Sequence, residues 1–84
     1  MTKLMLVGWG GRKPSSARFV TVPRGTVDLK RIKEDTDLRW KLKSQMYGLA
    51  GAIWDVSGTY PKLIATWYRN VDGNEVIRDE VKYN

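Results

Sequence analysis

The residues in this chain with chemistry to offer are cations interleaved with large aromatic rings. Trp40, Lys43, Ser44 and Tyr47 recur at i, i+3, i+4 and i+7, with Arg39 and Lys41 at the edges of the same arc. On a helix this spacing gathers an indole, a phenol and several cationic groups on one face. Such a face can contact phosphates and stack on bases, or anchor itself in a pocket of another protein. A second set lies nearer the start, in residues 8–16, where Trp9 precedes Arg12 and Lys13 in a stretch rich in Gly, Pro and Ser. A basic loop of this kind can follow a phosphate backbone while its indole stacks on a base. The alternative for Trp9 is a place in the core of an ordinary hairpin.

The same loop fails the stricter nucleotide-binding patterns. Arg12-Lys13 is followed by Pro14, so the Gly-Lys-Ser/Thr of a phosphate loop is missing. Gly8-x-Gly10 leads into a strand-like segment and not into the helix that a dinucleotide fingerprint requires. Gly8 to Gly11 would fit a bare Gly-x-x-Gly, but that loop joins two helices.

Catalysis has few means here. The chain contains no His and no Cys, which removes the near-neutral proton shuttle, thiolate chemistry and the usual zinc ligands. Asp79 and Glu80 are neighbours on a strand and point to opposite faces, while Asp35 and Asp37 suit a helix start. Asp55, between Trp54 and Val56, is the one carboxylate placed for partial burial, with an outward ion pair as its ordinary alternative. Ser44 cannot pair with Lys43, because helix neighbours diverge by about 100°. The reading is a protein that is not an enzyme, with no catalytic residue, no cofactor and no metal.

These groups must be positioned by a chain of 84 residues, a length that supports one small domain spanning residues 1–84. Without Cys, it must fold on packing alone. The formal charge of +6 is unevenly placed: eleven Lys and Arg face four acids up to Lys43, and four face five after it. A basic first half favours an anionic partner, either nucleic acid or an acidic protein surface, though a charge of this size also serves solubility. The apolar run 4–7 is far below the roughly 18 residues of a membrane span, so a cytoplasmic protein without membrane contact is expected.

The elements follow from pattern. Residues 3–9 read as a buried first strand and 17–22 as its partner, alternating Ala17, Phe19 and Thr21 against Arg18, Val20 and Val22. In 29–49, Leu38, Leu42, Met46 and Leu49 form a core stripe. Capping residue types at 34–37 divide this stretch into a short turn over 28–33 and a main helix over 36–47. Strands are expected at 52–56, 62–69 and 75–83, the last two joined by the turn Asn70-Val71-Asp72-Gly73. The expected fold is α+β, in the order β-β-α-β-β-β, with a mostly antiparallel sheet packed on one main helix.

Two functions from different classes follow. The first is nucleic-acid binding through Trp9, Arg12, Lys13, Arg39, Trp40, Lys43 and Tyr47. The second is a protein-interaction module, an inhibitor or accessory subunit of the compact kind that phages and mobile elements encode, with exposed aromatics as its anchors. A homodimer through an open edge strand at 75–83 is a variant of the second.

Overall fold

Alternation along the first strand decides the architecture. In the computed structural model, which describes residues 1–10, 14–23, 25 and 27–78, β1 (Thr2–Trp9) buries Thr2, Leu4, Leu6 and Gly8 on one side. Lys3 on the other side is exposed, and Met5, Val7 and Trp9 are half-buried. The expected buried first strand is therefore buried on one face, with the other face half-buried or exposed.

The β2 strand (Pro14–Val22) pairs with one edge of β1, and β3 (Ala50–Asp55) with the other. β4 (Lys62–Arg69) and β5 (Glu75–Arg78) complete a five-stranded sheet in the order β2-β1-β3-β4-β5, with every pairing antiparallel. The turn before β5 forms as its sequence specifies. Gly73 takes φ +81° and donates to the Asn70 carbonyl, while the Asn70 side chain accepts the Asp72 and Asn74 N–H groups. The expected continuation of this last strand through Val81 and Tyr83 lies outside the described residues.

The connection between β2 and β3 forms a short helix followed by a longer one, roughly as the short turn and main helix expected from sequence. The first, α1 (Leu29–Glu34), begins at Asp28, whose carboxylate accepts the Arg31 N–H. Asp35 both ends α1 and caps α2 (Thr36–Lys43), accepting the Leu38 N–H at 3.0 Å. One residue thus sets the break that the capping types announced. The second helix stops at Lys43, four residues short of the expected end. Beyond it, the Gln45 and Met46 N–H groups turn to the carbonyls of Leu42 and Lys43, tightening the last turn.

A tertiary contact holds the segment beyond α2. The Arg69 guanidinium donates to the carbonyls of Met46 and Gly48 at 2.9 and 2.8 Å, holding the chain in a turn. At Gly48, φ is +104° and an added Cβ would lie 2.8 Å from the Trp9 carbonyl oxygen, so the turn needs glycine. Leu49 emerges 64% exposed and is not part of the core stripe as expected, whereas Leu38, Leu42 and Met46 are buried.

The buried cluster joins Leu4, Leu6, Val20, Val22, Ile53, Ile64, Ala65 and Trp67 of the sheet to Val27, Ile32, Leu38, Leu42 and Met46 of the helical connection. A bulge opposite Ile53/Trp54 leaves Ile64 unpaired and lets it enter this cluster beside Ala65. Gly51 makes room for the largest member. A Cβ there would lie 2.0 Å from the Val7 carbonyl oxygen and 2.5 Å from the Trp67 ring, so the indole packs directly on the β3 backbone. All helical members of the cluster pack against the Leu4/Leu6 side of the sheet. No described helix is long and apolar enough to cross a membrane.

Candidate nucleic-acid interface on the open sheet face

With the helices confined to one side, the other side of the sheet has no described element over it, and its composition is unusual for an uncovered face. Strand register arranges it in rows that run across the strands. One row is Phe19, Met5, Trp54 and Leu63. The next is Ala17, Val7, Ala52, Thr66 and Arg78. The third is Trp9, Ala50, Tyr68 and Val76. Successive rows lie two residues apart along the strands, roughly 6.5 Å, except on β4, where the bulge at Ile64 sets Leu63 and Thr66 three residues apart; adjacent strands are roughly 4.8 Å apart. Two aromatic rows therefore flank a lane of small side chains, roughly 13 Å from one flank to the other.

The exposure pattern agrees with this. Phe19 is 58% exposed, while Trp9, Trp54, Leu63, Tyr68 and Val76 are half-buried. Met5, Val7, Trp9, Trp54 and Pro61 line one shallow apolar depression of about 510 Å³. Cations stand over the rings. Lys3 Nζ is 4.6 Å from the Phe19 centroid, and the Arg78 guanidinium is 5.0 Å from the Tyr68 centroid. Arg78 Nε also donates to Thr66 Oγ1 at 3.4 Å, holding the guanidinium at the β5 end of the lane. Among the described residues of this face there is no carboxylate. Asp28, Glu34, Asp35 and Asp37 belong to the helical connection, Asp72 to the last turn, and Glu75 to the helix-facing side of β5. Asp55 sits in register with Leu4, also on the helix-facing side, and accepts the Ser57 N–H at 2.9 Å, which gives it a turn-forming role.

The residues singled out from sequence fall in three places. Trp9 is on the open face, in register with Ala50 and Tyr68. Arg12 and Lys13 lie outside the described residues. Arg39, Trp40 and Lys43 come together on the opposite side of the molecule, around a groove of about 190 Å³ between α2 and β5 that Met46 and Ile77 also line. Trp40 is 70% exposed there. Lys43 Nζ is 3.6 Å from Glu75, whose carboxylate also accepts from Arg69, so this cation is already partnered. Arg39 reaches the Lys33 carbonyl at 3.5 Å. Tyr47 does not join them. It lies beyond the end of α2, with the Arg18 guanidinium of β2 5.0 Å from its ring centroid. The shared helix face of Trp40 and Tyr47 is thereby corrected, because the helix on which the spacing depended ends at Lys43.

Sequence reasoning missed Phe19, Trp54 and Tyr68, together with Lys3 and Arg78. The available signal was topological: a single helical connection can cover only one side of a five-stranded sheet, so the opposite residues of each alternating strand must face outward.

Comparison with known protein families, with curated proteins and with solved structures finds no match. The functional reading therefore rests on the surface itself.

Proposed function

We propose that this chain is a small basic nucleic-acid-binding protein that works by binding and not by catalysis. The observation that carries the reading is the uncovered sheet face, which presents aromatic rings and the cations Lys3 and Arg78 and no carboxylate among its described residues. A net charge of +6 draws a polyanion to the molecule, and the cations of this face direct it there. Trp9, from the sequence-derived set, belongs to this surface, and Arg12 and Lys13 follow it in the chain.

The experiment is a salt titration of binding to generic single- and double-stranded DNA and RNA. Binding at low salt that weakens linearly on a log–log plot is the expected outcome, since each neutralised phosphate contributes a slope of roughly −0.7 to −0.9. Absence of binding to all of these at low salt would overturn the reading.

A second reading is favoured by one separate feature, the α2–β5 groove under Trp40. An indole 70% exposed above Met46 and Ile77 and beside Arg39 is suited to anchor an acidic protein surface. A stable complex lost on Trp40→Ala and insensitive to salt would favour this second reading.

A further inference from the structure

We infer that the open sheet face is a base-stacking platform, so that the ligand is single-stranded nucleic acid and not duplex. The inference rests on the nucleic-acid reading above and names the form of nucleic acid that the face accepts. Four rings supply the platform. Phe19 and Trp54 stand in one row, separated by the β1 strand, and Trp9 and Tyr68 stand in the other, separated by β3. Within each row the two aromatic positions are therefore two strand spacings, about 9.6 Å, apart along the backbone, and the rows are offset by one strand.

The lane between the rows is lined by Ala17, Val7, Ala52 and Thr66, whose short side chains leave the rings standing above it. A single strand crossing β2 to β5 would lay bases on the rings of both rows while its phosphates met Lys3 at one end and Arg78 at the other. Every base has an apolar π-face, so a platform of this kind accepts unpaired bases with little regard to sequence. In a duplex those faces are buried against neighbouring base pairs, and only groove edges and phosphates reach a protein surface. The rings would then have nothing to stack on. The absence of a carboxylate among the described residues of this face matches a polyanion and disfavours a basic protein partner.

The test measures fluorescence anisotropy of a labelled oligo-dT, an oligo-U and a mixed-sequence duplex at low salt. It uses the wild-type chain, Phe19→Leu, Trp54→Leu and, as a control across the molecule, Trp40→Ala. Leucine keeps the apolar cover and removes the ring, and circular dichroism confirms that each variant is folded. The expected result is preference for both single strands over the duplex, with affinity lowered roughly five- to 150-fold by Trp54→Leu and unchanged by Trp40→Ala. Equal affinity for the duplex, with Phe19→Leu and Trp54→Leu without effect, would overturn the platform and leave nucleic-acid binding standing. No binding to any of the three probes would overturn both. If light scattering shows a dimer that Phe19→Leu dissociates, a second copy occupies the face and the platform is likewise overturned. Should Trp54→Leu not fold, the exposed Phe19→Leu alone decides the outcome.

Discussion

Lys3 Nζ rests 4.6 Å from the centroid of the Phe19 ring, across the β1–β2 ladder and on the side of the sheet that the helices leave bare. An ammonium group held over an exposed ring keeps its charge available to solvent while fixing the ring in place, and an exposed pair of this kind contributes only about 0.5–1 kcal/mol to the fold. Under the proposed function, its main consequence is for binding.

Lys3→Ala is expected to make the salt dependence of single-strand binding shallower by about 0.7 on the log–log plot, the contribution of one phosphate contact. Its urea midpoint should remain close to that of the parent chain. An unchanged slope would remove Lys3 from the interface.

Gly51→Ala is expected to destabilise the fold by about 1–3 kcal/mol or more, because the added methyl group meets the Val7 backbone and the Trp67 ring at once. Urea denaturation reads this directly. A variant as stable as the parent would mean that β3 and the Trp67 indole can separate without cost.

Arg69→Ala should cost about 3 kcal/mol, since it strips the buried Glu75 carboxylate of one partner and frees the carbonyls of Met46 and Gly48. Arg69→Lys should recover little of the loss, because an ammonium group cannot reproduce a planar fork that serves three acceptors. Full recovery by lysine in chemical denaturation would show that charge alone is at work.

Asp35→Ala should cost about 1 kcal/mol, as expected for loss of the N-cap of α2. The far-UV helical ellipticity of the whole chain should fall with it. Trp40→Ala, by contrast, should stay within about 0.5 kcal/mol of the parent, because the ring is 70% exposed.

Local chemistry was legible in the sequence. The division of the helical stretch at Asp35 and the Asn70–Gly73 turn follow from side chains acting on backbone within a few residues, and both form as read. Strand positions were also recovered, with edges displaced by a few residues, as at β3, which runs Ala50–Asp55 in place of 52–56. The errors arose where a distant residue decides the outcome. Periodicity carries the helix to Tyr47, but α2 stops at Lys43 and the chain beyond it turns, with its Met46 and Gly48 carbonyls accepting from Arg69 of β4. The run Leu4-Met5-Leu6-Val7 reads as a buried strand, and pattern alone cannot tell how many of its faces the chain can cover. Basic neighbours in sequence mark Trp9, whereas its register with Ala50 and Tyr68 is a property of strand pairing.

The central claim is most directly tested by the four indole N–H resonances in a ¹⁵N–¹H spectrum recorded as unlabelled oligo-dT is added. Trp9 and Trp54 face the open side, Trp40 stands on the helical side, and Trp67 is buried, with its Nε1 finding no hydrogen-bond acceptor among the described residues. The account predicts that the Trp9 and Trp54 signals shift or broaden while those of Trp40 and Trp67 stay in place. Movement of Trp40 alone, or of none of the four at saturating oligonucleotide, would contradict it.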